Sequence, residues 1–405
     1  MGIKLTQAEE DMLRGKNGEA CKVAMGVLLR LGNALGAQEF VRVSSVQCMA
    51  HYGSLHDAGL EWLEKLGDMG GRCCVPATQD PASIPFEDWE EMGFDKVYAD
   101  KQQRLAAAAK KLGEVLTWSC TPYAVGQVPR FGQNIAWAES SAVSYANSVI
   151  GARTNRTPAG MAVCVALTGR VPKERMYLDE NRAAAVKVNI RDAGELTELD
   201  YNTIGIMLGK FAGTRIVAFD GIPESVSNEG LKYLGAAAAS SGGVALYHVL
   251  GVTPEAFRED PFRGQKPAEE VTWTRRDIQT AQDALTTQNP GEVELAVVGC
   301  PHYSIGELIK LADLARGRKI KKGKEFWVYT PFETRNLAER MGLADVFRES
   351  GVRILASNCL VISPFPRKYK TLMTDSAKFA SYLPSEHHVE LVYGSMADCV
   401  NTVMN

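Results

Sequence analysis

Several features that would assign a chain quickly are missing. No Gly-x-Gly-x-x-Gly follows a strand pattern, and no Gly-x-x-x-x-Gly-Lys-Ser/Thr loop occurs, so neither common nucleotide cradle is present. There is no His-Glu-x-x-His helix and no Gly-x-Ser-x-Gly elbow. The chain lacks a long basic run; its net charge is -3, and Arg318 to Lys324 reads as a solvated turn. A nucleic-acid partner is therefore not expected. The start, Met1 to Leu5, has no charged region leading into an apolar run, so no signal peptide is expected. The stretch Tyr233 to Pro254 carries no Asp, Glu, Lys or Arg, but Ser240-Ser241-Gly242-Gly243 interrupts it. It reads as a buried helix, a turn and a buried strand, not a membrane span. No repeat, low-complexity tract or long linker appears. The cysteines do not make an even set: nine in 405 residues point to a reducing, cytoplasmic setting and leave a metal or cluster site open.

What is present is ordinary globular composition, 45% apolar and 23% charged, with length enough for several cores. The first part, 1–115, reads as a mostly helical α/β lobe. Thr6 caps a first helix; Ala20 to Ala34, Ser54 to Leu66 and Asp100 to Val115 follow, with Cys73 to Pro76 as a short strand. A central lobe, 116–290, begins with a loop and a predicted helix Ile135 to Ile150, capped by Asn134. That helix carries Glu139, Ser140, Ser141, Ser144 and Asn147 beside its apolar residues, more polar groups than packing alone requires. The last lobe, 291–405, alternates strands near Val293–Val298, Glu325–Tyr329 and Val352–Leu355 with helices at Ser304–Ala315 and Thr334–Met341. Leu372 to Tyr382 reads as a further helix. This alternation predicts a parallel sheet covered by helices.

Ligands of open α/β sheets gather beyond the carboxyl ends of strands. Cys300 and Cys359 each follow a predicted strand, and Cys120 follows the β-like run Val115 to Trp118. Three thiols so placed can hold a cubane and leave one iron open. The competing reading is that free cysteines are small buried hydrophobes, and no tight Cys-x-x-Cys spacing argues against it. Cys21, Cys48, Cys164 and Cys399 lie in apolar patterns and are read that way. Of Cys73 and Cys74, at most one can face a site.

The segments Ser119-Cys120-Thr121-Pro122-Tyr123, Val128 to Gly132, Ile135 to Ala142 and Asn147 to Arg156 closely resemble the central signature of the aconitase X large subunit. Asp179 to Arg182, Tyr247 to Ala256 and Cys300-Pro301-His302-Tyr303-Ser304 match in the same order. The resemblance implies an aconitase-like, multi-lobed α/β body with parallel sheets flanked by helices. It further implies an iron–sulfur cluster, 4Fe-4S in type, held by Cys120, Cys300 and Cys359. Two places depart from the pattern. Ala356-Ser357-Asn358 precedes the third cysteine where Gly-Asp-Thr is expected, and Pro76 to Pro81 replaces a Thr-Thr-Leu-Asn-like segment.

The implied reaction is removal of water from a small hydroxy acid. Glu139, Ser140, Ser141, Asn147 and Asn155 are the expected pocket residues, with Arg153 and Arg156 as carboxylate or phosphate clamps. Structural salt bridges are the alternative for the arginines. Ser54, His56 and Asp57 are candidate substrate contacts, or an ordinary helix-start cluster. The base is expected on a separate small, swivelling-domain subunit. The favoured substrate is cis-3-hydroxy-L-proline, with mevalonate 5-phosphate as the alternative. A cluster-free binding or regulatory paralogue is the reading from a different class.

Overall fold

The computed structural model describes residues 2–287, 291–364 and 369–405. Thirteen strands run in chain order: β1 Phe40–Arg42, β2 Val46–Cys48, β3 Ala77–Gln79, β4 Arg170–Pro172, β5 Val186–Ile190, β6 Val217–Asp220, β7 Tyr247–Val249, β8 Glu269–Trp273, β9 Leu295–Val298, β10 Glu325–Thr330, β11 Arg353–Ala356, β12 Thr371–Thr374 and β13 Glu390–Tyr393. They form two short pairs, β1-β4 and β2-β3, and two larger sheets.

Both larger sheets are wholly parallel, as alternating strands and helices require. The four-stranded sheet has the order β7-β6-β5-β8 and the five-stranded one β11-β10-β9-β12-β13. In the latter the order reverses beside β9, between β10 and β12, and the carboxyl ends at such a switch point are where ligands of open sheets gather. Strands such as Leu295–Val298 are buried at every position, because helices cover both faces.

The N-terminal part is helical around a core of Met25, Leu28, Leu60, Leu63, Leu105 and Val165. Helices Glu198–Ala212 and Asn228–Ser241 approach closely at Gly205 and Gly209. A Cβ on Gly209 would lie 2.0 Å from Ser241 Oγ. The charge-free stretch is, as expected, the end of the helix Asn228–Ser241, a turn and the buried strand β7. Among the described residues no helix is long and apolar enough to cross a membrane.

Three local expectations need correcting. The helix predicted for Ile135 to Ile150 begins only at Ser140. Ile135 to Ala138 is extended, with Ala136 bridging to Val46, and Glu139 is the cap instead of Asn134. The short strand lies at Ala77–Gln79, just after Cys73 to Pro76. Leu372 belongs to the strand β12, and the helix that follows is Ala377–His387, capped by Ser376. An apolar run of four or five residues has the same pattern in a buried strand as in a helix turn.

Candidate active site

Each of the three predicted thiols follows a tight left-handed turn. Trp118 has φ 46°, Gly299 φ 92° and Ser357 φ 83°, one or two residues before Cys120, Cys300 and Cys359 respectively. Only glycine fits at 299: a Cβ there would lie 2.2 Å from the Tyr329 carbonyl oxygen. Trp118 and Ser357 hold a conformation that side chains rarely adopt, a form of strain that concentrates at functional sites.

The three turns are tied together. The His302 amide donates to Cys120 Sγ at 3.2 Å, and the His302 imidazole pairs with the Asn358 carbonyl at 3.0 Å. Ser376, at the end of β12, donates its hydroxyl to the Cys300 carbonyl at 2.5 Å while capping the next helix. The switch point beside β9 thus carries Cys300 and Ser376, with Cys359 arriving from β11 and Cys120 from the N-terminal part. Burial pushes all three thiols up, Cys300 to about 11, and the neighbouring Cys300 raises Cys120 and Cys359 further.

Lys378, two residues beyond Ser376, is 8% exposed and forms an ion pair with Glu139. Burial opposes its charge, but Glu139, Cys300 and Cys359 outweigh burial and hold it protonated. Burial likewise pushes Glu139 up, yet Lys378 and the Ser141 contacts bring it down to about 2. Ser141 donates both its amide and its hydroxyl to Glu139, at 3.3 and 3.0 Å. Gln47 accepts from the Glu139 amide at 3.1 Å and donates to the Ser119 carbonyl at 3.0 Å and to Asp80 at 3.3 Å. Asp80 lies 3.9 Å from His51 Nε2, and both are fully buried. Burial, then Glu139, drives the Asp80 carboxyl well above its usual range, while burial drops His51 to about 4.

Among the described residues several polar atoms here make no hydrogen bond: both ring nitrogens of His51, His302 Nδ1, Ser357 Oγ and Asn358 Oδ1. Leaving a buried polar group unpaired costs about 1–3 kcal/mol. Clustered around three thiols, the donors among them, the two histidine rings and the Ser357 hydroxyl, suit a cofactor whose sulfides accept hydrogen bonds, and Asn358 Oδ1 suits a polar substrate. Among the described residues no three His, Cys, Asp or Glu come close enough to hold a single metal ion. A cubane makes no such demand, because each thiolate binds a different iron. The all-thiol donor set, one cysteine buried and two half-buried, fits an iron–sulfur cluster and not an isolated hard cation.

The other predicted residues divide. Glu139, Ser140 and Ser141 join the thiols. Arg156 donates to the Ala239 carbonyl and lines a cavity of about 610 Å³ with Asn155 and Glu174; its charge is felt by burial first, then by Glu139 and Tyr382. Asn147 is a structural staple: its amide donates to the Thr154 and Ala245 carbonyls, and its oxygen accepts from the Thr154 amide and Arg182. Those four bonds use its whole capacity. Asn155 similarly braces Glu174 and the Met176 amide. Arg153 pairs with Asp179, the salt-bridge alternative. Ser54, His56 and Asp57 are exposed, and Asp57 is held by Lys101 and the Tyr52 hydroxyl.

Lys378, His51, Asp80 and Gln47 escaped the sequence reading. Asp375-Ser376-Ala377-Lys378 stands just past a parallel strand, the signal that found Cys300, but reading 372–382 as one helix hid the strand. His51 is buried five residues before the histidine that was chosen.

Family models match in sequence order: Aconitase X first domain over residues 2–180, second domain over 184–283 and third domain over 293–405. The phosphomevalonate dehydratase large subunit of Methanosarcina mazei is 39% identical over 400 residues, 98% of this chain and 96% of that protein. Cis-3-hydroxy-L-proline dehydratase of Hypocrea jecorina is 32% identical, covering 99% of this chain and 68% of that protein. The crystal structure of Thermococcus kodakaraensis aconitase X in its holo form superposes with a TM-score of 0.90 at 32% identity, over 99% of this chain and 100% of that one. The chain belongs to the aconitase X family and is a hydro-lyase.

Proposed function

We propose that this chain is the large subunit of an iron–sulfur-dependent dehydratase acting on a small hydroxy acid, with Cys120, Cys300 and Cys359 holding the cluster. The observation that carries this reading is that three thiols, Cys300 buried and Cys120 and Cys359 half-buried, stand on hydrogen-bonded turns beside the Glu139–Lys378 pair. When bound, the cluster supplies a Lewis acid for the departing hydroxyl. Around it, Lys378 presents an ammonium fixed by Glu139, suited to orient a substrate carboxylate. Ser140 sits at the half-buried edge, and Arg156 adds positive charge at the rim. Dehydration breaks a C–O bond, removes a proton from the neighbouring carbon and releases water. The group that takes that proton is assigned to a small partner subunit, because "large subunit" relatives imply one and the carboxylates here are either paired or buried.

Of the two substrates, cis-3-hydroxy-L-proline is the first reading. It carries a carboxylate that the Lys378 ammonium, fixed by Glu139, can orient. Mevalonate 5-phosphate is the second reading, favoured by the greater identity to the phosphomevalonate relatives, 39% against 32%.

The test is anaerobic co-purification with the small subunit, iron and sulfide counts, and turnover of both substrates. Cys120→Ala, Cys300→Ala and Cys359→Ala should each lose the visible absorbance, and Cys164→Ala should keep it. Full iron content in the triple alanine variant refutes the ligand set. Full turnover by the large chain alone refutes the partner.

A further inference from the structure

Among the described residues the exposed large apolar side chains are few, and four of them, Val115, Val128, Phe131 and Phe257, fall along one band. Each is between 40% and 73% exposed. The band can be traced contact by contact. Val115 runs beside β3, its amide donating to the Ala77 carbonyl at 2.8 Å. Thr78, the next residue of β3, donates its hydroxyl to Gln127, and the Gln127 amide reaches the Val46 carbonyl at 3.0 Å. Those bonds pin the loop at Val128. Gly132 then donates to the Gly151 carbonyl at 2.8 Å. Phe131 lies so close to Gly151 that a Cβ there would meet its ring at 2.4 Å and Pro254 at 3.4 Å. Pro254 opens the short helix Pro254–Arg258, which carries Phe257 and has no buried residue. Cys120 sits on the same segment, between Val115 and Val128. The band therefore flanks the loop of the first thiol on both sides.

Its charge is mainly of one sign. Arg258 holds its guanidinium over the Phe131 ring, 4.3 Å from the centroid. Arg130 and Arg258 are exposed and enter no ion pair among the described residues. Glu255, on the same helix, is taken by Arg182, and Asp260 is spent on the Phe262 and Gly264 amides. One exposed carboxylate, Glu259, stands against the two arginines. Exposed aromatic and aliphatic groups with stacked arginine are the composition of binding hot spots, and contiguous apolar surface of this kind marks an interaction site.

The occupant follows from what the neighbouring site needs. Its proton acceptor is assigned to a partner, and a partner that reaches the thiols has to pass over the loop of Cys120. The chain matches 96% of the Methanosarcina mazei large subunit but 68% of the Hypocrea jecorina dehydratase, and the rest of that protein has no counterpart in these 405 residues. A second copy of this chain would bring no group that the site lacks.

We infer that the band of Val115, Val128, Phe131 and Phe257 is the docking face for the small subunit, which meets it with an apolar surface edged by carboxylates. This rests on the two-subunit reading and deepens it by naming the surface of contact.

The test measures association of the iron-loaded large chain with the small subunit by anaerobic sedimentation and by turnover titrated with small subunit. Phe257→Asp and Val128→Asp should each weaken association by about tenfold or more, the effect of truncating an interface anchor. Arg258→Glu should weaken it too, by a factor that shrinks as salt is raised. Met341→Asp, an equally drastic change at an exposed site away from the band, should leave association unaltered. All four side chains are exposed, so melting temperature and iron content should stay at the parent values, and excess small subunit should restore turnover. Parent-like association of Phe257→Asp and Val128→Asp overturns the docking face. So does a parent chain that dimerises through the band, with Phe257→Asp making it monomeric while small-subunit binding is unchanged. If the parent binds no small subunit and turns over at full rate alone, the two-subunit reading itself fails, and the occupant named here falls with it.

Discussion

Replacing Lys378 with Met removes the charge from a nearly enclosed ion pair and keeps the length of the side chain. Glu139 is then left ionised among buried groups. Lys378 and the Ser141 contacts hold Glu139 at about 2, against an ordinary 4.5, which corresponds to about 3 kcal/mol in favour of the ionised form. Breaking a buried pair from one side typically costs about 3–5 kcal/mol, and the two figures agree. Because the folded value is depressed, this stability is present above pH 4.5 and is lost as pH falls toward 2. At pH 7 the cluster-free Lys378→Met chain should therefore unfold several degrees below the parent. The gap should begin to narrow below pH 4.5, where the parent starts to lose the stability that ionised Glu139 contributes. Lys378→Met with Glu139→Gln should recover most of the loss, since removing both charges leaves neither one buried alone. The assay is thermal unfolding of the metal-free chain across pH 3.5 to 8, with all four members of the double-mutant cycle. A single variant as stable as the parent at pH 7, or a double variant no better than the single, refutes the electrostatic account.

Three further outcomes follow from the geometry. Gly299→Ala pushes a Cβ against the Tyr329 carbonyl and also requires a positive φ, so iron retention after desalting should fall sharply, whereas Gly317→Ala, at a similar φ in open space, should leave it intact. Asn147→Ala strands four buried partners and should cost about 2–5 kcal/mol; chemical denaturation should show it, while KM of the surviving folded enzyme stays unchanged. Ser141→Ala removes one of the bonds to Glu139 but leaves Lys378 in place, so a loss of about 1 kcal/mol is expected by the same unfolding assay.

The parallel sheets were legible because strand–helix alternation leaves a pattern, and that pattern led to Cys300 and Cys359. Cys120 was legible as a thiol after an extended run, although its turn pairs with no large sheet. The family resemblance supplied the common purpose of the three. Lys378 was hidden by a run whose strand and helix readings differ only in the place of one cap, Ser376. Asn147 and Asn155 showed the opposite error. Their signature context suggested chemistry, but buried turns recruit the same amides to satisfy backbone groups. Nothing local marks His51 and Asp80 as a pair; 29 residues separate them, and only the packing of β2 beside β3 brings their loops together.

Cys120, Cys300 and Cys359 come from widely spaced parts of one polypeptide, so their meeting is also a question of timing. During synthesis the first thiol emerges long before the strands that carry the others, and the binding place does not exist until the last parallel strands have docked. Under the proposed ligand set, metal loading would be an end-stage event and would tie the N-terminal part to the five-stranded sheet. Oxidative loss of iron would then cut that tie and shorten the lifetime of the folded protein in air.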